Sequence, residues 1–221
     1  MRITLFQSVI GADRAMTLYA LKPAFQAWLR PVVGRLAGAG VTANQVTVAA
    51  MLGSILVGAL AALGPPGAFL LIPLWLALRM ALNAVDGMLA REFGQKSRLG
   101  AYLNEVGDVV SDVTLYAPFA LVPAIGPLPV AVAVMLAILT EFVGVLGLMV
   151  GASRRYDGPM GKSDRALAFG ALATWVGLGL PLGSWAAILV CLMAPLLALT
   201  SLNRARCGLR EAAAANRNDP R

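Results

Sequence analysis

The sequence predicts an all-α integral membrane protein, with six transmembrane helices preceded by an N-terminal amphipathic helix at the membrane interface. Three observations carry this expectation. Of the 221 residues, 59% are hydrophobic and only 13% are charged; a soluble domain has about half and a quarter, so the bilayer is the expected solvent. The apolar residues gather into runs of about 20, the length at which a helix crosses the hydrocarbon core. Lysine and arginine are concentrated in alternate gaps between those runs, which orients the runs in the membrane.

Residues 1–20 carry Arg2, Asp13 and Arg14 among apolar residues, too broken a run for a cleavable signal peptide. Between Leu21 and Gly38, Trp28, Leu29, Val32, Val33 and Leu36 mix with Lys22, Arg30 and Arg35. This pattern suits an interfacial helix kinked near Pro31. The first span is expected at about 42–64 with Thr42 as its N-cap. The others are expected at about 68–92, 98–122, 128–152, 165–180 and 184–203. The chain thus divides into an N-terminal segment (1–41), a six-helix membrane domain (42–204) and a polar tail (205–221) expected to fray.

The loops after the first, third and fifth spans contain no Lys or Arg, whereas the N-terminal segment, the loops at 92–98 and 153–165 and the tail hold nearly all of them. The positive-inside rule then puts both termini and the basic loops on the cytoplasmic side of the inner membrane. The net charge of +7 is read as topology and contact with anionic lipid; without a soluble basic domain, nucleic-acid binding is excluded. Cys191 and Cys207 form no disulfide framework. Histidine is absent, which removes Ser-His and Cys-His nucleophiles and leaves acid–base or metal chemistry to carboxylates and amides.

Against this apolar background, one polar cluster stands out. Asn83, Asp86 and Ala90, with Gly87 and Arg91, fall at helical spacings near the end of the second span. Gly100, Asn104, Asp108 and Asp112 recur every four residues, forming a stripe along the third span. The short loop between them makes these helices antiparallel neighbours whose stripes can face each other. Intramembrane charges cost about 2.5–3.5 kcal/mol each on insertion scales and usually mark function, although polar contacts that merely hold the bundle together are the structural alternative. Glu105 is expected to turn away from the stripe, one residue being a rotation of about 100°.

This stretch resembles the signature of the CDP-alcohol phosphotransferase family, also called the CDP-alcohol phosphatidyltransferases: D-x2-D-G-x2-A-R-x8-G-x3-D-x3-D. Asp86-Gly87, Ala90-Arg91, Gly100 and Asp108 match in register, and VTANQVT at the first span is similar to the family's opening. Asn83 and Asn104 stand where the family has its first and third aspartates. The resemblance implies transfer of a phosphatidyl-type group from a CDP-linked lipid, such as CDP-diacylglycerol, to a small alcohol acceptor with release of CMP. It implies Mg2+ or Mn2+ as cofactor, with Asp86, Asn83, Asn104 and Asp108 at the metal and Asp108 as the general base. Asn83, Asp86, Gly87, Ala90, Arg91 and Gly100 would surround the nucleotide, and a homodimer among membrane lipids is implied. Asparagine still offers a neutral carbonyl oxygen to a hard cation, so altered metal use and a relative that binds without catalysing both remain open.

Two further groups are expected to matter. Arg79, Asp112 and Glu141 lie at similar depth inside spans and could meet as a buried ion network, Arg79 compensating one carboxylate or both. Arg154, Lys162 and Arg165 flank a glycine-containing loop and could hold an anionic headgroup or a phosphate-bearing acceptor. Gly147 and Gly151 form a small-xxx-small pair on the fourth span, a signal for helix packing or dimerisation.

Overall fold

A computed structural model describes residues 22–217, and every regular element in that range is helical. The expectations for residues 1–20 and for the last four residues lie outside the described range. The elements are α1 (Lys22–Gly38), α2 (Ala43–Leu63), α3 (Leu71–Glu92), α4 (Arg98–Tyr116), α5 (Pro127–Met149), α6 (Lys162–Gly177) and α7 (Trp185–Arg217). A 3-10 turn, Pro66–Leu70, leads into α3, and another, Ala117–Leu121, follows α4.

Local chemistry sets most of these boundaries. Thr42 caps α2 by accepting from the Gln45 backbone N–H, while the Gln45 side chain accepts from the Thr42 N–H, a reciprocal capping box that satisfies two orphan donors. Ser97 caps α4 by accepting from the Gly100 N–H at 2.9 Å. The third expected span does not run unbroken to 122, because Pro118 lacks an N–H and the chain tightens into the 3-10 turn. Helix α5 stops at Met149, and Gly151 adopts φ +82° just beyond it. Gly151 is therefore a helix-terminating residue, and the expected small-xxx-small pair does not lie on one helix. Gly147 instead lets α7 come close: a Cβ on Gly208 would sit 3.7 Å from the Gly147 Cα.

The tail expected to fray continues α7 as helix to Arg217. The Ala-rich stretch after Glu211 favours helix, and Glu211 itself accepts from the Ser153 N–H at 2.9 Å and pairs with Arg155. Pro31 lies within the helical run of α1.

Packing turns a soluble protein inside out. Large apolar side chains on the outer faces are exposed, with Leu74 at 69%, Met135 at 66% and Leu192 at 61%. By contrast Arg79, Asp112, Glu141, Arg165 and Arg204 are buried. Among the described residues, four helices are long and apolar enough to cross a membrane: Ala43–Leu63, Pro66–Glu92, Pro127–Met149 and Trp185–Arg217. Helix α4 carries too many charges and α6, at 16 residues, is too short to meet that standard. The protein is a multi-pass membrane protein.

One aromatic core joins the elements at one end of the bundle. Tyr116 stacks on Phe169 at a 4.1 Å centroid distance, and Phe119 packs edge-on against Phe69 at 5.1 Å. At the other end, Leu29 and Val33 of α1 bury against Val46 of α2 and Val85, Met88 and Leu89 of α3. Helix α2 packs along both α3 and α4, which make only marginal contact with each other. The two polar stripes thus do not touch as direct helix neighbours; the helices diverge and leave a cleft.

Candidate active site

That cleft, at the end of the bundle where α2 begins and α3 ends, is a cavity of about 500 Å³. Asp86, Gly87, Ala90 and Arg91 of α3 line it, with Gly100, Asn104 and Glu105 of α4 and Asn44 and Thr47 of α2. Two glycines let its polar groups approach the backbone. A Cβ at Gly87 would meet Arg91 Nη2 at 2.7 Å, and one at Gly100 would meet Asn44 Oδ1 at 2.8 Å. The Gln95 side chain ties the α3–α4 loop to the start of α2 by accepting from the Ala43 N–H at 2.7 Å.

A second cavity of about 380 Å³ shares Asn104 with the first and includes Asp108, Arg154, Lys162 and Arg204 in its wall. A third, about 190 Å³, shares Lys162 and holds Asn83 and Arg79. The residues of the spaced polar pattern therefore surround three adjoining spaces.

Asp86 is buried, and its Oδ2 lies 2.8 Å from the Thr47 hydroxyl, which also lies 3.0 Å from the Ala43 carbonyl. Asp108 is held asymmetrically. Lys162 donates to Oδ1, and Arg79 Nη2 donates to the same oxygen at 3.2 Å. Oδ2 has no hydrogen-bond partner among the described residues, and Asp108 lines the second cavity.

The family model for CDP-alcohol phosphatidyltransferase matches residues 40–201. The chain belongs to that family. It is 47% identical over 192 residues to the inner membrane protein YnbA of Escherichia coli (strain K12), covering 86% of this chain and 96% of that protein. It is 31% identical over 121 residues to the archaetidylinositol phosphate synthase of Aeropyrum pernix, covering 53% of this chain and 62% of that one. The fold is similar to that of Mycobacterium tuberculosis phosphatidylinositol phosphate synthase (PgsA1), solved with CDP-DAG bound, at TM-score 0.64 and 19% identity over 82% of this chain and 92% of that one. The same enzyme in complex with manganese and citrate also has TM-score 0.64 and 19% identity, covering 81% of this chain and 88% of that one. This CDP-alcohol phosphatidyltransferase is a phosphotransferase of phospholipid biosynthesis, from a family that depends on divalent metal.

Beneath the site of this CDP-alcohol phosphatidyltransferase runs a chain of buried ion pairs. Arg79 Nη1 donates to Asp112 Oδ1 at 2.7 Å, and Arg165 Nη2 lies 2.8 Å from both Asp112 Oδ2 and Glu141 Oε1. Arg154 Nη2 donates to Glu141 Oε2 at 3.0 Å and to Glu105 Oε2 at 2.6 Å. Arg204 Nη1 donates to the Thr140 carbonyl at 2.5 Å and lies 3.5 Å from Glu141 Oε2. Arg79 thus meets Asp112, whereas Glu141 is paired with three other arginines.

Two positions depart from the sequence expectation, and a third carried none. Arg165, expected beside the loop with Arg154 and Lys162, is fully buried and does not line the second cavity. The reason is that α6 begins at Lys162, which places Arg165 a turn inside the helix. Glu105, expected to face away, reaches the cleft wall because the divergence of α3 and α4 opens more than one face of α4. Arg204, which the sequence did not single out, is buried and lines the second cavity.

Arg154 lies in the α5–α6 loop. Burial disfavours its charge, but the hydrogen-bonded Glu105 carboxylate outweighs that and raises the guanidinium pKa above its ordinary value. Nearby, hydrogen bonds from Arg155 at 2.8 and 2.9 Å hold the Asp157 carboxyl below the usual range. Among the described residues, no three His, Cys, Asp or Glu side chains come together as a metal cluster. The oxygen donors of the spaced pattern are divided among the three spaces: Asp86 and Asn104 line the cleft, Asn104 and Asp108 the second cavity, and Asn83 the third. Oxygens of this kind are the ligands a hard divalent cation prefers.

Proposed function

We propose that this chain transfers a phosphatidyl-type group from CDP-diacylglycerol, or a similar CDP-linked lipid, to a small hydroxyl acceptor and releases CMP. The observation that carries this reading is Asp108. It lines the cavity walled by Arg154 and Lys162, which adjoins through Asn104 the cleft lined by Asp86, Gly87, Ala90, Arg91 and Gly100, and one of its carboxylate oxygens is clamped while the other has no partner among the described residues. The cleft would hold the cytidine and pyrophosphate, and the second cavity the acceptor.

Asp86 and Asp108, with the amide oxygens of Asn83 and Asn104, would hold Mg2+ or Mn2+, which supplies charge neutralisation to the pyrophosphate. Lys162 and Arg79 fix Asp108 through Oδ1 and so aim Oδ2 at the acceptor. As the acceptor oxygen forms its bond to the lipid-side phosphorus, the bond from that phosphorus to the CMP oxygen breaks, and the hydroxyl proton passes to Asp108 Oδ2. Thr47 positions Asp86.

Six membrane spans, with α4 and α6 completing the set around the buried ion pairs, agree with the alternation of basic and uncharged loops. Both termini and the site would face the cytoplasm of an inner membrane. Helix α1 would lie at the interface: Leu29 and Val33 dock on the bundle, while Phe25, Trp28 and Val32 remain exposed as an apolar stripe. A homodimer is expected from the family.

The test is CMP release from CDP-diacylglycerol by purified protein across hydroxyl acceptors, with Mg2+, Mn2+ or chelator. Metal-dependent release that Asp108→Asn abolishes supports the reading. Release unaffected by Asp108→Asn removes the base assignment. Silence across the panel with CDP-lipid binding intact identifies a relative that binds without transferring.

A further inference from the structure

We infer that the acceptor of this transferase is an uncharged polyol rather than a phosphate monoester, a refinement that rests on the transferase reading above. The second cavity presents three cations, Arg154, Lys162 and Arg204, but equally three carboxylates, Asp108, Glu141 and Asp164. Each cation is already paired with a carboxylate. Both oxygens of Glu105 lie 2.6 Å from Arg154, against Nε and Nη2, so the face of the guanidinium fork that would grip a phosphate holds a carboxylate. The Tyr156 ring covers the same group at 4.3 Å. Lys162 is on Asp108, and Arg204 is on Glu141 and the Thr140 carbonyl.

The surrounding pairs do not alter the balance. Arg79 and Arg165 add two positive charges, and Glu105 and Asp112 add two negative ones. A dianionic phosphate entering here would meet only cations whose charge a carboxylate already balances. To take one of them as its own ion pair it would have to displace a carboxylate, leaving that carboxylate unpaired in a low-dielectric setting, which is strongly unfavourable. Hydroxyl groups face no such conflict, because each both donates and accepts. They find neutral partners in Asn104, Ser163 and Tyr156, and an open carboxylate oxygen on Asp164, whose Oδ2 accepts from the Gly161 N–H at 2.9 Å. The volume of about 380 Å³ is ample for a short polyol.

The experiment measures CMP release by the full chain with glycerol, myo-inositol, glycerol 3-phosphate, inositol phosphate and serine as acceptors. The expected result is a kcat/KM for a polyol at least tenfold above that for its own phosphate ester, with little inhibition by inorganic phosphate. Glu105→Gln frees the Arg154 fork and should move the ester-to-polyol ratio at least tenfold towards the ester. Preference of the wild-type protein for a phosphate ester or for serine overturns the inference while leaving the transferase reading intact, as does a ratio that Glu105→Gln does not move. Release with no acceptor at all overturns the transferase reading, and the inference with it.

Discussion

Replacing Arg165 by leucine removes the guanidinium that joins Asp112 to Glu141 in the interior of the bundle. The side chain is fully buried, donates to Asp112 Oδ2 at 2.8 Å and Glu141 Oε1 at 2.8 Å, and reaches Thr140 Oγ1 at 3.1 Å. Breaking a buried pair from one side typically costs about 3–5 kcal/mol. Here Asp112 retains Arg79, and Glu141 retains Arg154 and Arg204, which places the loss near the lower end, about 3 kcal/mol. At about 2–4 °C per kcal/mol for a chain of this size, the midpoint should fall by about 6–12 °C. Thermal denaturation of the detergent-purified protein, followed as loss of the monodisperse peak, gives the readout. The double variant Arg165→Leu/Asp112→Asn removes one charge of each sign and leaves Arg79 with Asp108. It should be less destabilised than the two single changes added together, by about 1 kcal/mol or more. A fall of less than about 2 °C for Arg165→Leu, or strict additivity in the cycle, would refute the view that these groups act as one buried network.

Thr47→Val strips Asp86 Oδ2 of its hydroxyl donor at 2.8 Å; a hydrogen bond to a charged group is worth about 1.5–3 kcal/mol, so kcat/KM for CMP release should drop about tenfold or more without loss of fold. Gly58→Ala would drive a Cβ into the Thr114 backbone oxygen; α2 and α4 must separate, and a thermal scan should show a loss of about 1–3 kcal/mol. The Arg155–Asp157 pair works in the acidic direction only. Because Asp157 is held below its ordinary pKa, its contribution is complete above about pH 4 and is lost as pH falls through the lowered value. Hydrogen exchange in the α5–α6 loop should therefore be flat from neutral pH to mild acid, after correction for intrinsic rates, and rise below about pH 4; a rise already near pH 6 would contradict the pairing.

The amino-acid sequence by itself determined the helical class, the membrane as solvent, the cap at Thr42 and the family. Each of these is written in short-range periodicity, in composition, or in the fixed spacing from Asp86 to Asp108. It also determined the depth at which Arg79, Asp112 and Glu141 lie, since rise per residue is constant along a helix. Depth does not say which groups touch. Glu105 was placed by angle alone, yet the separation of α3 and α4 brings it to the cleft and onto Arg154. Arg165 changed from a loop cation to a buried one because the start of α6 depends on Gly161, whose N–H is capped by Asp164, three residues earlier than the apolar run implied. Thr47 closes the VTANQVT stretch, but nothing in the sequence ties it to Asp86, and Arg204 is simply a cation towards the end of an apolar run. Their partners, Asp86 and Glu141, lie 39 and 63 residues away in sequence. Only the packing of α2 on α3 and of α5 on α7 brought those partners within reach, and those rotations are set by side chains across the whole interface.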